Sequence, residues 1–148
     1  MTNASEPVLH LWRALAKLDW EAAKSVVSDD CIFVDMPLGP TMAARGPDNI
    51  VKRLQAALEN ENLADYANHD GVLLTNGRDV IYEHLEIFRS TNGGRANNPI
   101  VSVHKVIDGK VCLWKDYWDI NAIANTAWFQ SAAQAGDVSW VFDATGLI

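Results

Sequence analysis

The chain of 148 residues is short of basic clusters, of cysteine and of long apolar runs. Each shortage narrows what it can do. Twelve Lys and Arg against nineteen Asp and Glu leave a formal net charge of −7. With no Lys/Arg cluster to offset it, this balance argues against a nucleic-acid partner and against an anionic membrane surface. No apolar stretch is long enough to cross a bilayer. The segment Met1 to Pro7 is polar and lacks the apolar core of a signal peptide, so the expected location is the cytoplasm. The two cysteines, Cys31 and Cys112, fall in separate strand-like segments without metal spacing, so reduced and buried thiols are expected. No Gly-rich phosphate loop precedes a helix, and no Ser or Cys nucleophile elbow is present.

What is present is ordinary in bulk and unusual in places. The length suits one domain over residues 1–148 with a real core, and 49% hydrophobic with 21% charged residues is a soluble globular composition. Ser5-Glu6-Pro7 starts a helix whose inner side carries Val8, Leu11, Trp12, Leu15 and Leu18, ending near Lys17. Asp19 caps a second short helix through Val26 and Val27. Cys31 to Met36 reads as a short strand stopped by Pro37, and Gly46-Pro47-Asp48 opens a third helix with Ile50, Leu54, Ala57 and Leu58 inside. From about Leu63 the period changes. Val72-Leu73-Leu74, Asn76-Gly77 and Val80 to Phe88 form a hairpin signal, followed by Asn92-Gly93-Gly94, a strand from Ile100 to Ile107, Asp108-Gly109, and a last strand from Val111 to Trp118. Ile120 to Gln134 reads as a helix weakened by Asn121 and Asn125, and the apolar patches after Gly136 are expected to pack. Helices first and an antiparallel meander after make an α+β fold, a cone whose curved sheet encloses an apolar cavity.

Two strands carry ionisable groups among aromatics. In Tyr82-Glu83-His84-Leu85-Glu86-Ile87-Phe88, alternation puts Tyr82, His84, Glu86 and Phe88 on one face. In Trp114-Lys115-Asp116-Tyr117-Trp118, Asp116 sits between Trp114 and Trp118 on one face. Titratable groups framed by aromatics are costly unless paired or used. If Asp35, His84, Glu86 and Asp116 share a cavity, at least one of the three carboxyls must hold a proton near neutral pH. The expected donor is Glu86, the base Asp116 or Asp35, and His84 bridges them. Metal binding is not expected, because His84 and Glu86 lack convergent His or Cys partners.

Three stretches, Phe33-Val34-Asp35-Met36-Pro37-Leu38, Glu83-His84-Leu85-Glu86 and Leu113 to Asp119, resemble the NTF2-like superfamily. Within it the likeness is to the limonene-1,2-epoxide hydrolases, and more loosely to SnoaL-type cyclases and ketosteroid isomerases. The resemblance implies a water-activating carboxylate at Asp116 and an acid at Glu86. The family's arginine, tyrosine and asparagine positions are taken by His84, Phe33 and Asp35. Asp35 also falls near the general base of ketosteroid isomerases. The outer face with Glu83, Lys115, Tyr117 and Asp119 corresponds to the superfamily's homodimer contact.

The expected activity is general acid/base addition of water to an epoxide of a small apolar or alicyclic substrate, with no cofactor and no metal. Phe33, Met36, Leu54, Tyr82, Trp114 and Trp118 are the expected pocket wall. Two alternatives stand beside it: a dehydratase or isomerase using Asp35 and His84, and a ligand-binding domain without turnover. His84 with Glu86 or Asp116 also fits a structural hydrogen-bonded pair, Asp35 fits a strand-end cap, and both tryptophans fit plain core. His104 shares strand parity with Ser102 and Ile100 and faces either the cavity or the outer surface.

Overall fold

In a computed structural model, residues 3–134 and 136–148 are described. The helices are α1 (Ser5–Ala16), α2 (Trp20–Ser25), α3 (Pro47–Leu58) and α4 (Ala127–Ala133). The strands are β1 (Val27–Asp35), β2 (Ala43–Arg45), β3 (Leu63–Asn76), β4 (Asp79–Ser90), β5 (Arg95–Ile107), β6 (Lys110–Trp118) and β7 (Val141–Phe142). Among the described residues these strands form one sheet in the order β3-β4-β5-β6-β1-β2-β7. All neighbours run antiparallel except β1 and β6, which are parallel. This is the open, curved sheet against N-terminal helices that the sequence leads one to expect. Among the described residues no helix is long and apolar enough to cross a membrane.

The concave face of the sheet and the inner stripe of α1 share one core. Val8, Leu11, Trp12 and Leu15 pack against Phe33, Tyr82, Ile100 and Trp114, all nearly inaccessible. A second cluster of Leu58, Tyr66, Phe88 and Trp128 closes the other end. Between the two lies the cavity.

Several boundaries differ from the periodic reading, each for a local reason. The second helix stops at Ser25, and Val27 begins β1 by pairing with Val111. Ser28, Asp29 and Asp30 disguise that start, so the strand is longer than its apolar part. Leu18 lies past the end of α1 with φ 54 and is exposed, not inward. The stretch from Ile120 to Gln134 is not one helix. Asp119 caps a single 3-10 turn over Ile120–Ala122, and the Thr126 hydroxyl accepts from Phe129 N to start α4. β3 begins at Leu63, before any alternation is visible, because most of its side chains face solvent. In the first hairpin Asn76 pairs with Asp79, so the two-residue loop is Gly77-Arg78, with φ 61 at Gly77. The Asp108-Gly109 turn has positive φ at both residues, as a type I′ hairpin requires. After Gly136 the tail packs through β7 onto β2.

β3 is bent at Gly71, where its register with β4 slips between His69 and Val72. A Cβ at Gly71 would lie 2.2 Å from the Glu83 carbonyl oxygen, so only glycine lets the two backbones approach. Gly71→Ala is expected to cost about 2 kcal/mol or more of folding stability, the scale of overpacking a close contact. Urea unfolding measures it, and an unchanged midpoint would contradict the close approach.

Candidate functional site

The cavity encloses about 270 Å³, and its wall includes aromatics from several elements: Trp12 of α1, Phe33, Trp114 and Trp118 of the sheet, Trp128 and Phe129 of α4, and Trp140 of the tail. Into this wall the strands project three carboxyls. Asp35 and Asp116 are direct neighbours on the parallel pair β1 and β6, so their side chains share a face. Glu86 enters from β4, opposite Asn98 of β5. All three line the cavity.

Each carboxyl has a different set of partners. Asp35 accepts from Arg53 Nη2 at 2.8 Å and from Trp118 Nε1 at 3.0 Å. Arg53 comes from α3, lines the same cavity, and lies 5.3 Å from the centre of the Trp140 ring. Glu86 accepts from the Tyr66 hydroxyl at 2.8 Å and from Asn98 Nδ2 at 3.0 Å. The open side of Glu86 faces the cavity and not bulk water, so burial pushes its carboxyl up to about 7, with Asp35 adding repulsion and the two hydrogen bonds opposing. Asp116 is only 4% exposed. Its Oδ1 lies 2.6 Å from Ser102 Oγ and accepts from Trp114 Nε1 at 2.6 Å, which leaves Oδ2 for the cavity. Burial first, then the charge of Asp35, holds the Asp116 carboxyl well above the usual range. The arrangement therefore presents an ion-paired carboxylate facing two carboxyls that favour their protonated form.

The structure brings Asp35, Glu86, Asp116, Phe33, Leu54, Trp114 and Trp118 together on the cavity wall. His84, Tyr82 and Met36 do not line it. His84 is buried behind the wall, stacked on Tyr82 at 4.3 Å between ring centres and met edge-on by Trp12 at 4.2 Å. It touches neither Glu86 nor Asp116 directly; Ser102 stands between His84 and Asp116. Burial lowers its imidazole to about 4, so it is neutral. Met36, at the far end of β1, packs with Val34, Ala43 and Ala144 on the other side of the strand. His104 faces inward but stays in the core, accepting from Trp12 Nε1 at 3.3 Å, and burial lowers it to about 3.

Sequence reasoning passed over Arg53, Tyr66, Asn98 and Ser102. Arg53 had a signal: it shares the inner side of α3 with Ile50, Leu54 and Ala57, where a cation needs a partner. Asn98 and Ser102 share the parity of Ile100 on β5. Tyr66 had none, because β3 shows no alternation. Among the described residues no group of three His, Cys, Asp or Glu side chains could hold a metal ion.

Comparison with known proteins gives the family and the fold. Residues 2–128 match the limonene-1,2-epoxide hydrolase catalytic domain, and the chain belongs to that family. An LEH-like epoxide hydrolase of M. tuberculosis superposes with a TM-score of 0.68 at 18% identity, covering 88% of this chain and 90% of that one. A candidate SnoaL-like polyketide cyclase from Shewanella putrefaciens gives a TM-score of 0.72 at 17% identity, over 88% and 99% of the two chains. A protein of ketosteroid-isomerase-like fold from Catenulispora acidiphila, in complex with trimethylamine, gives 0.72 at 14% identity, over 93% and 98%. No curated protein matches the sequence. At these identities the solved structures establish the NTF2-like fold and choose no reaction.

The raised Glu86 carboxyl has a measurable consequence for stability. Its ordinary value is 4.5 and its folded value about 7. The folded state thus binds more protons between these limits, so the stabilisation is full below about 4.5 and is lost as pH rises through 7. The span corresponds to about 3 kcal/mol. Glu86→Gln is expected to flatten the stability profile by this amount and to exceed the parent in stability at pH 8. Thermal unfolding of both proteins at pH 5 and pH 8 checks it; equal slopes would count against the raised carboxyl.

Proposed function

We propose that the protein adds water to the epoxide of a small, uncharged, ring-bearing substrate by general acid/base catalysis. The observation that carries this reading is the division of labour among the three carboxyls in one aromatic cavity. In this reading Glu86, whose carboxyl burial pushes up to about 7, gives its proton to the epoxide oxygen. In the same reading Asp35 and Asp116, side by side on β1 and β6, hold a water molecule between them. The ion-paired Asp35 takes the proton as that water attacks carbon, and Asp116 hydrogen-bonds the same water. The wall of tryptophans and phenylalanines suits an apolar ring and excludes competing bulk water. Membership of the epoxide hydrolase family supports the reaction class.

A second reading is favoured by the placement of Arg53. It neutralises Asp35 alone, leaving a single base opposite protonated acids, which is the equipment of an isomerase or dehydratase that moves a proton next to a carbonyl. In that reading Asp35 is the base, and His84, lying behind the wall, acts only through Ser102.

Cyclohexene oxide and limonene oxide test the first reading. Diol release is expected, with Asp35→Asn and Glu86→Gln each lowering kcat by about 10²–10⁴-fold. The rate should fall as pH rises through about 7, where Glu86 loses the proton it must donate. No diol, together with exchange of the α-hydrogens of a cyclic enone in heavy water, would favour the second reading. Diol formation that survives both substitutions would overturn the assigned roles.

A further inference from the structure

Behind Asp116 the polar groups form an unbroken line to the outer strand β3, and donors and acceptors along it can be assigned one by one. The Tyr82 hydroxyl donates to Asp70 Oδ1 at 2.5 Å. The phenol oxygen remains an acceptor beside Asn68. The NH₂ group of Asn68 therefore belongs on that side and Oδ1 on the other. Asn68 Oδ1 sits 2.6 Å from His84 Nδ1, a separation that two lone pairs do not tolerate, so Nδ1 carries hydrogen. His84 Nε2 is 3.0 Å from Ser102 Oγ, which is 2.6 Å from Asp116 Oδ1.

With hydrogen on Nδ1 and one further proton shared between His84 Nε2 and Asp116, two arrangements satisfy every contact. In one, His84 is neutral, Ser102 donates to Nε2, and a protonated Asp116 donates to Ser102. In the other, an imidazolium donates to Ser102, which donates to an Asp116 carboxylate. The two contain the same number of protons. They interconvert when Ser102 Oγ takes the proton of Asp116 and passes its own to Nε2, with no other bond changed. A line with one proton fewer, in which Asp116 is ionised and His84 neutral with hydrogen on Nε2, would require the Asn68 amide to turn around and leave Tyr82.

We propose that Asn68, His84 and Ser102 are positioning residues holding one relayed proton behind Asp116, so that this line fixes the protonation state Asp116 presents to the cavity. The groups facing His84 are Tyr82 of β4, Trp12 of α1, His104 of β5 and Asp70 of β3. Those facing Asp116 are Asp35 of β1 and Glu86 of β4, beside Trp114 of β6 and Ser102 of β5. Asp70 alone favours an imidazolium; burial of both ends and the two carboxyls near Asp116 favour the proton on Asp116. Asn68 is half-buried on β3, so the line joins the cavity to the protein surface.

The test uses the full chain without substrate, so its failure would leave the proposed hydration untouched, and absence of epoxide turnover would leave the relay untouched. Nitrogen NMR of the His84 ring at pH 7 is expected to show one tautomer, with hydrogen on Nδ1. Infrared difference spectra between the parent and Asp116→Asn are expected to show a protonated Asp116 carboxyl. Asn68→Leu removes the acceptor: the His84 hydrogen should move to Nε2 and the proton affinity of Asp116 should fall about tenfold. Asn68→Asp should keep hydrogen on Nδ1. In a Ser102→Ala background, Asn68→Leu should leave Asp116 unmoved. Hydrogen on Nε2, or an even mixture of tautomers, in the parent protein would overturn the proposal. So would an Asp116 that ignores Asn68→Leu, or one that responds equally without Ser102. If Asn68→Leu does not fold, the parent tautomer and Asn68→Asp decide the matter.

Discussion

Three strand-borne carboxyls and the Arg53 guanidinium share a cavity lined by aromatic rings, and the rest of the site answers to that imbalance. In a low-dielectric pocket like charges at close range cannot all persist. Arg53 neutralises Asp35. Glu86 and Asp116 must then favour protons or a surplus of donors: Tyr66 and Asn98 donate to Glu86 and Trp114 to Asp116, while Ser102 Oγ meets Asp116 Oδ1 at 2.6 Å. The result is a pocket of low net charge holding acids and a base together. Such a pocket can accept an uncharged substrate and still move protons.

The position of the cation separates this chain from the pattern its family resemblance implies. An arginine expected on β4, two residues before the acid, is a histidine, and among the described residues the guanidinium on the cavity wall comes from α3. A buried imidazole can be neutral where a guanidinium cannot. His84 therefore costs little to bury and leaves Asp116 without a cation beside it. The same substitution that weakens one route to an ionised Asp116 opens another, in which protonation depends on hydrogen-bond direction. The wall is also extended past the family's matched span: Phe129, Val138 and Trp140 lie beyond residue 128 and line the cavity, and Trp140 covers Arg53.

Strand parity and turn chemistry made much of this legible in the sequence. Alternation in β4 and β6 put Glu86 and Asp116 on inward faces, and the helical stripe of α1 gave its core side. Glycine turns marked the meander, and the Phe33–Leu38 segment marked the end of β1. These signals are local, because the period of a strand or helix is fixed by backbone geometry, and a buried face must be apolar wherever it is not used. β3 was poorly legible for the same reason: an edge strand with solvent on most of its length has no burial pattern to read.

What parity could not supply is which faces meet and what lies between them. It placed His84 with Glu86 on one side of β4, yet His84 lies behind the wall while Glu86 is on it, because the sheet curves and Trp12 fills the space over His84. The parallel pairing of β1 with β6, which sets Asp35 beside Asp116, joins segments about eighty residues apart and leaves no trace in either. The partnership of Arg53 with Asp35, and the Ser102 link from His84 to Asp116, depend on distances of a few ångströms between separate elements. The sequence by itself determined most of the elements, the inward faces of α1, β4 and β6, and the presence of acids on the two strand faces. Tertiary structure decided the pairing of each charge, because an ionisable group's state is set by its neighbours in space and not by its neighbours in the chain.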